Sequence, residues 1–131
     1  MKRDFDVVVV GGGMVGAACA ALLGAYEPTS SLRVAMLEPR PAPFPPAGEP
    51  LDLRVSALSR ASQRLCERTG AWPRVVERGA AAYQRMVVWE HGGSPGGPGS
   101  IRFDAADLGE PDLGHIVENR AVQAALTEQA V

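Results

Sequence analysis

Asp6-Val7-Val8-Val9-Val10-Gly11-Gly12-Gly13-Met14-Val15-Gly16 is the stretch whose reading decides the fold. Four valines that stop at glycine predict a short, buried parallel strand, apolar on both faces and therefore without alternation. Residues 14–26 predict a helix, with alanines throughout and Val15, Cys19, Leu22 and Leu23 at helical spacing. Pro28 and Thr29-Ser30-Ser31 end it. Arg33-Val34-Ala35-Met36-Leu37 reads as a second strand, closed by Glu38-Pro39. Strand, helix and strand within 6–38 make one right-handed βαβ unit.

The turn between strand and helix has the spacing G-x-G-x-x-G, in the strand-to-helix context that a dinucleotide fingerprint requires. Gly11 permits the tight turn. Gly13 lets a pyrophosphate approach the backbone, and Gly16 lets the helix pack closely on the strand. The N–H groups of the first helical turn, at Met14, Val15 and Gly16, would then face the phosphates with the positive end of the helix dipole. Glu38 stands 22 residues after Gly16, at the end of the second strand. A carboxylate there accepts hydrogen bonds from an adenosine ribose and repels a 2′-phosphate. The plainer alternatives are a glycine-rich turn without ligand and a solvated strand-end glutamate. These residues indicate an adenine dinucleotide without separating NAD from FAD.

At 131 residues and 13.8 kDa the chain is one domain or part of a larger one. A hydrophobic fraction of 46% and a charged fraction of 21% exclude wholesale disorder. A net charge of −2 provides no positive excess for nucleic acid, and 5% aromatics provide no base-stacking surface. Cys19 and Cys66 lack metal-ligand spacing, so neither a disulfide framework nor a zinc site is expected, and a reducing compartment fits. Residues 7–26 are uncharged and follow Lys2-Arg3, which raises a signal peptide or membrane span. Asp4, Asp6 and the glycine triplet count against both.

Further along, 39–53 is proline-rich and irregular. Asp52-Leu53-Arg54-Val55-Ser56-Ala57-Leu58-Ser59 reads as an arginine-bearing segment entering a helix, capped by Ser59 and stopped after Thr69 by Gly70. Residues 83–90 read as a strand. The glycine-rich run 92–100 reads as a hairpin tip before a strand at 101–103. Residues 115–117 are extended, and Asn119 is positioned to cap a last helix that runs to Val131, with Val122, Ala125 and Leu126 facing inward. Trp72 and Trp89 read as core anchors. His91 and His115 have no partner constellation.

The 52–59 segment resembles the D-x-R-x-x-A-L-S segment of aromatic-ring flavin monooxygenases. Gly70-Ala71-Trp72, Met86-Val87-Val88-Trp89 and Gly114-His115-Ile116-Val117-Glu118-Asn119-Arg120 extend the likeness. Together they resemble the N-terminal part of the ubiquinone-biosynthesis hydroxylases, a branch of the p-hydroxybenzoate-hydroxylase-like flavoproteins, over nearly the whole chain. The resemblance implies tightly bound FAD, with Arg54 and Arg120 among its contacts. Arg54 otherwise reads as a surface partner of Asp52 or Glu49, and Arg120 as an exposed first-turn arginine. Val122 and Gln123 depart from the family's R-x-x-L pattern.

By the same resemblance, NAD(P)H is a transient co-substrate that reduces the flavin. Molecular oxygen then forms a C4a-hydroperoxide, which hydroxylates the ring of a polyprenyl phenol on the route to ubiquinone. No catalytic acid, base or nucleophile is evident. The implied fold is α/β: a Rossmann-like FAD-binding βαβ unit (1–78), the first strands of a β-rich substrate domain (79–118), and a helix returning to the FAD domain (119–131). The family's later Asp-Gly and Gly-Asp segments are absent, so a fragment is expected, inactive by itself. The expected location is the cytoplasm, peripheral at the inner membrane or with other ubiquinone-synthesis proteins. The alternatives are another FAD or NAD oxidoreductase and a non-catalytic dinucleotide-binding module.

Overall fold

The computed structural model describes residues 4–130, so Lys2 and Arg3, weighed above as targeting charges, and Val131, to which the last helix was expected to run, lie outside the described residues. Strand β1 (Val7–Val10) leads through the glycine turn into helix α1 (Met14–Ala25), and the chain returns as strand β2 (Val34–Leu37). β1 and β2 pair in parallel, Val7 opposite Val34 through Val10 opposite Leu37, which is the βαβ unit expected from 6–38. β1 differs from expectation in burial: Val8 and Val10 are 53% and 82% exposed, because α1 covers only one face of this two-stranded sheet.

The segment 52–59 enters a helix as expected, but as a strand that the sequence reading did not assign. Val55–Ser59 forms strand β3, followed directly by helix α2 (Arg60–Thr69). β3 pairs antiparallel with β7 (Gly114–Glu118), and β7 pairs on its other edge with β4 (Ala80–Tyr83), which gives the order β3-β7-β4. Long-range pairing supplies the hydrogen bonds that local pattern does not announce. β3 to β7 pairing also crosses the 78/79 division drawn above.

The extended stretch 83–90 is two strands, not one. β4 ends at Tyr83, and β5 (Arg85–Val88) pairs instead with β6 (Ile101–Asp104) in a separate hairpin whose tip holds the glycine-rich run. Gln84 is the switch, its carbonyl accepting the Ala105 N–H at 2.9 Å. Trp89 lies beyond β5 and is 46% exposed, so it anchors no core. Trp72 opens a short helix, α3 (Trp72–Arg78), that went unpredicted; its Val75 is fully buried and Trp72 packs beside it.

The last helix, α4 (Asn119–Gln129), starts without a side-chain cap. Asn119 is not the cap: Glu118 occupies that position, and the Asn119 side chain accepts the Ser56 hydroxyl at 2.6 Å. The core joins α1, α2, α3, α4 and β7 through Ala17, Cys66, Val75, Val117, Val122 and Leu126. α1 and α4 each bury three alanines or more, and small side chains let packed helices approach closely. Ser59 does cap α2, accepting the Ser62 N–H, and Gly70 ends it in the left-handed conformation at φ 83°. No helix among the described residues is long and apolar enough to cross a membrane.

Two glycines of α1 give opposite expectations. A Cβ on Gly24 meets nothing within 4 Å, so Gly24→Ala should raise stability by about 0.5–1 kcal/mol through helix propensity. A Cβ on Gly16 would stand 1.9 Å from the Gly11 carbonyl oxygen, so Gly16→Ala should lower stability by about 1–3 kcal/mol. Thermal melts of the two variants check both signs.

Candidate functional site: a glycine turn and its carboxylate

The glycine turn is set by backbone contacts. Gly11 has φ 101°, which side chains rarely tolerate, and its N–H donates to the Leu37 carbonyl at 2.9 Å, tying the turn to the end of β2. Gly16 then packs against the Gly11 carbonyl with no room for a Cβ. The first helical bond of α1 runs from the Ala17 N–H to the Gly13 carbonyl at 2.9 Å. The N–H groups of Met14, Val15 and Gly16 therefore precede the intrahelical ladder. No acidic side chain occupies this first turn, and Gly13 provides no side-chain cap. A Cβ on Gly13 would meet nothing within 4 Å, so space is open over these donors.

Glu38 lies against this turn. One carboxylate oxygen accepts the Gly12 N–H at 2.8 Å and the other accepts the Arg40 N–H at 2.9 Å. The Arg40 and Gly12 amides hold its pKa below the ordinary glutamate value, so it is a fixed anion at neutral pH. Each oxygen retains accepting capacity for a diol. The structure thus brings Gly11, Gly13, Met14, Val15, Gly16 and Glu38 to one place. Met14 packs partly against the core and Val15 is 85% exposed, so what these two offer the turn is backbone N–H.

Gln123, which sequence reasoning missed, completes the turn from the far side. Its side-chain amide donates to the Gly12 carbonyl at 2.8 Å, across 111 residues. The available signal was its spacing, one helical turn beyond Arg120 on the same helix.

Arg54 and Arg120 lie near each other but in different electrostatic settings. The Arg54 carbonyl accepts the Asn119 N–H at 3.0 Å, which places it at the start of α4. The Arg54 side chain is exposed and makes no hydrogen bond or ion pair among the described residues. Asp52 and Glu49, read above as its alternative partners, are engaged by Arg120 instead, at 4.0 Å and 2.7 Å. Arg120 also bonds Glu118.

Glu118 and Arg78 are the other residues sequence reasoning missed. The Glu118 side chain has no exposure, and Arg78 donates to it at 2.7 Å. Arg78 also donates to the carbonyls of Pro46, Glu49 and Pro50, so one guanidinium fastens the proline-rich segment to the end of β7. Burial pushes the Glu118 pKa up, but the hydrogen bonds from Arg120 and Arg78 outweigh it and hold the carboxyl below its usual value.

No family model matches the chain. In sequence it is 38% identical over 126 residues to the 3-demethoxyubiquinol 3-hydroxylase of Escherichia coli (strain K12), across 95% of this chain and 30% of that protein. It is 36% identical over 126 residues to the mitochondrial ubiquinone biosynthesis monooxygenase COQ6 of Homo sapiens, across 95% of this chain and 26% of that one. The chain therefore spans less than a third of the length of these curated relatives. In fold it is similar to p-nitrophenol 4-monooxygenase PnpA of Pseudomonas putida DLL-E4, with a TM-score of 0.61 and 22% identity over 98% of this chain and 29% of that one. It is equally similar to aklavinone-11 hydroxylase, solved with FAD and aklavinone, with a TM-score of 0.62 and 21% identity over 99% of this chain and 24% of that one. At these identities the structural likeness is one of fold.

Both Glu38 and Glu118 bind their proton less readily when folded than the ordinary value near 4.5 implies. The unfolded chain therefore takes up protons first as pH falls, and stability present above that range is lost below it. Removing charge at Glu118 leaves two arginines without their shared anion, so Glu118→Gln should destabilise by about 3 kcal/mol at neutral pH. It should also flatten the acid limb of the stability profile. Urea unfolding at a series of pH values measures both.

Proposed function

Kin over 95% of its length to the ubiquinone-biosynthesis hydroxylases, the chain carries, we propose, the adenosine-diphosphate half of an FAD site in a flavin-dependent aromatic-ring monooxygenase. The observation that carries this reading is the pairing of an open helix N-terminus at Gly13 with Glu38, whose two oxygens are fixed on the Gly12 and Arg40 amides. The residues fit the group. Space without a Cβ lies over the free N–H donors of Met14, Val15 and Gly16, where a diphosphate binds. Glu38 is an anion hydrogen-bonded to the same turn, and Arg54 supplies an exposed guanidinium unpaired among the described residues.

FAD so held supplies the redox and oxygen chemistry of the reaction. This chain's own residues bind and orient it: Gly11 and Gly16 shape the turn, Gly13 admits the diphosphate, Glu38 grips the ribose, and Arg54 meets the phosphate or flavin edge. The nucleotide-binding part is β1-α1-β2 with α2, α3 and α4. The β5–β6 hairpin begins the part that faces substrate, within the division at 79–118. In the whole protein NAD(P)H is the reductant, molecular oxygen the co-substrate, and a prenylated phenol on the route to ubiquinone the substrate. A prenylated substrate favours peripheral association with the inner membrane, from the cytoplasmic side, or with other proteins of ubiquinone synthesis.

Titrating the 131-residue chain with FAD tests the half-site, with ADP as competitor. Saturable FAD binding displaced by ADP is expected. Gly13→Val should weaken it at least about tenfold while the melting temperature stays close to the parent's, since the added side chain projects into open space. FAD binding that ADP does not displace, or that Gly13→Val leaves unchanged, would contradict the proposal.

A further inference from the structure

Gly11, Gly12 and Gly13 give a ligand room, and they also leave the backbone free to turn. A peptide unit between two glycines rotates with little steric penalty, because either sign of φ is open to it. Three consecutive peptide units of the turn are nevertheless fixed, each by a different partner. The Gly11 N–H donates to the Leu37 carbonyl at 2.9 Å, and the Gly12 N–H donates to Glu38 at 2.8 Å. The third unit joins Gly12 to Gly13, and its carbonyl oxygen accepts the Gln123 side-chain amide at 2.8 Å. The Gly13 N–H of that unit has no protein acceptor among the described residues.

The carbonyl and the N–H of a trans peptide point in opposite directions. With the Gly12 oxygen turned to α4, the Gly13 N–H points away from α4. Gly12 is buried and Gly13 exposed, and a Cβ on Gly13 would meet nothing within 4 Å. The Gly13 N–H therefore joins the free donors of Met14, Val15 and Gly16 on the open side of the turn. A flip of this unit would withdraw that N–H and turn the Gly12 oxygen toward an incoming diphosphate. Gly13 has φ −65°, and a flip would make it positive, which glycine alone tolerates readily. The residue that admits the diphosphate is thus also the one that lets the turn reverse.

We propose that Gln123 is a positioning residue for the diphosphate: by holding the Gly12 carbonyl it locks the Gly12–Gly13 peptide and adds the Gly13 N–H to the donors at the head of α1. The proposal rests on the nucleotide reading above and deepens it, since the orientation of the anion site then depends on a side chain 111 residues away. Glutamine suits the task. Its amide donates without carrying charge, so it holds the carbonyl without drawing phosphate to itself. The alanine faces of α1 and α4 bring the two helices close enough for it to reach.

Two substitutions separate orientation from packing. Gln123→Leu keeps the bulk and removes the donor, so the ADP dissociation constant should rise about three- to tenfold, the worth of one neutral hydrogen bond. Gln123→Glu sets a carboxylate against the Gly12 oxygen, and at about pH 8 its loss should exceed that of Gln123→Leu. Lowering the pH to about 5.5 protonates part of the new carboxyl, whose pKa is raised by burial and by Glu38, and the acid then donates to Gly12. Glu38 on the same turn and Arg120 one helical turn back on α4 keep their charges throughout. Taken as a ratio to the parent at each pH, the Gln123→Glu deficit should narrow and the Gln123→Leu deficit should stay constant. Unchanged ADP binding in Gln123→Leu, or a Gln123→Glu deficit that does not narrow, would overturn the proposal. A parent chain that bound no ADP would defeat the nucleotide reading instead, and the free protein then decides the lock. In Gln123→Leu the Gly13 amide resonance should shift and broaden, while that of Ala71, bonded to Cys66, stays in place. An unaltered Gly13 amide would overturn the lock.

Discussion

Helix α1 begins in direct contact with the end of β1, and no side chain can stand between them. The Gly16 backbone lies against the Gly11 carbonyl, and Gly11 itself takes a φ of 101° to make the turn. That closeness sets the rest. It aims the first N–H groups of α1 along the edge of the sheet, and it brings β2 back so that Leu37 receives the Gly11 N–H and Glu38 receives that of Gly12. The helix also presents its alanine face to α4, whose Gln123 returns to the Gly12 carbonyl. Strand, helix and carboxylate are thus one mechanical unit in which an anion site and an anion sit side by side, one aimed at phosphate and the other at hydroxyls.

Two layers of charge surround this unit. Glu38 is satisfied by neutral backbone amides, which fix it without cancelling it. Glu118 is satisfied by two guanidinium groups, which do cancel it. The difference matters for function: the first carboxylate keeps charge to offer a ligand, whereas the second spends its charge on holding the chain together. The same contrast divides Arg54, exposed and unpaired among the described residues, from Arg78 and Arg120, which are paired with Glu118.

What could be read in the sequence was local. The valine run, the glycine spacing, the Ser59 cap and the Gly70 stop act within a few residues, so βαβ, α1 and α2 were legible. Glu38 was legible because a βαβ unit of ordinary length returns its second strand beside the first. The hairpin at 92–100 was legible from glycine and proline between extended stretches. What failed depended on distant partners. β3 is a strand because β7, nearly sixty residues on, supplies its hydrogen bonds. The stretch 83–90 divides at Gln84 because its halves join different sheets. Asn119 looked like a cap, but Ser56 claims its side chain from another element. Arg78 and Glu118 lie 40 residues apart and carry no spacing signal at all.

The central claim is that the glycine turn and Glu38 together seat an adenosine diphosphate. An ADP titration of the isotopically labelled chain, followed by amide resonances, tests it residue by residue. Saturable shifts concentrated at the Gly12, Gly13, Met14 and Val15 amides and at Arg40, whose N–H reports on Glu38, are the predicted result. Shifts confined to the 92–100 hairpin, or no saturable shift at the glycine turn at all, would contradict the account.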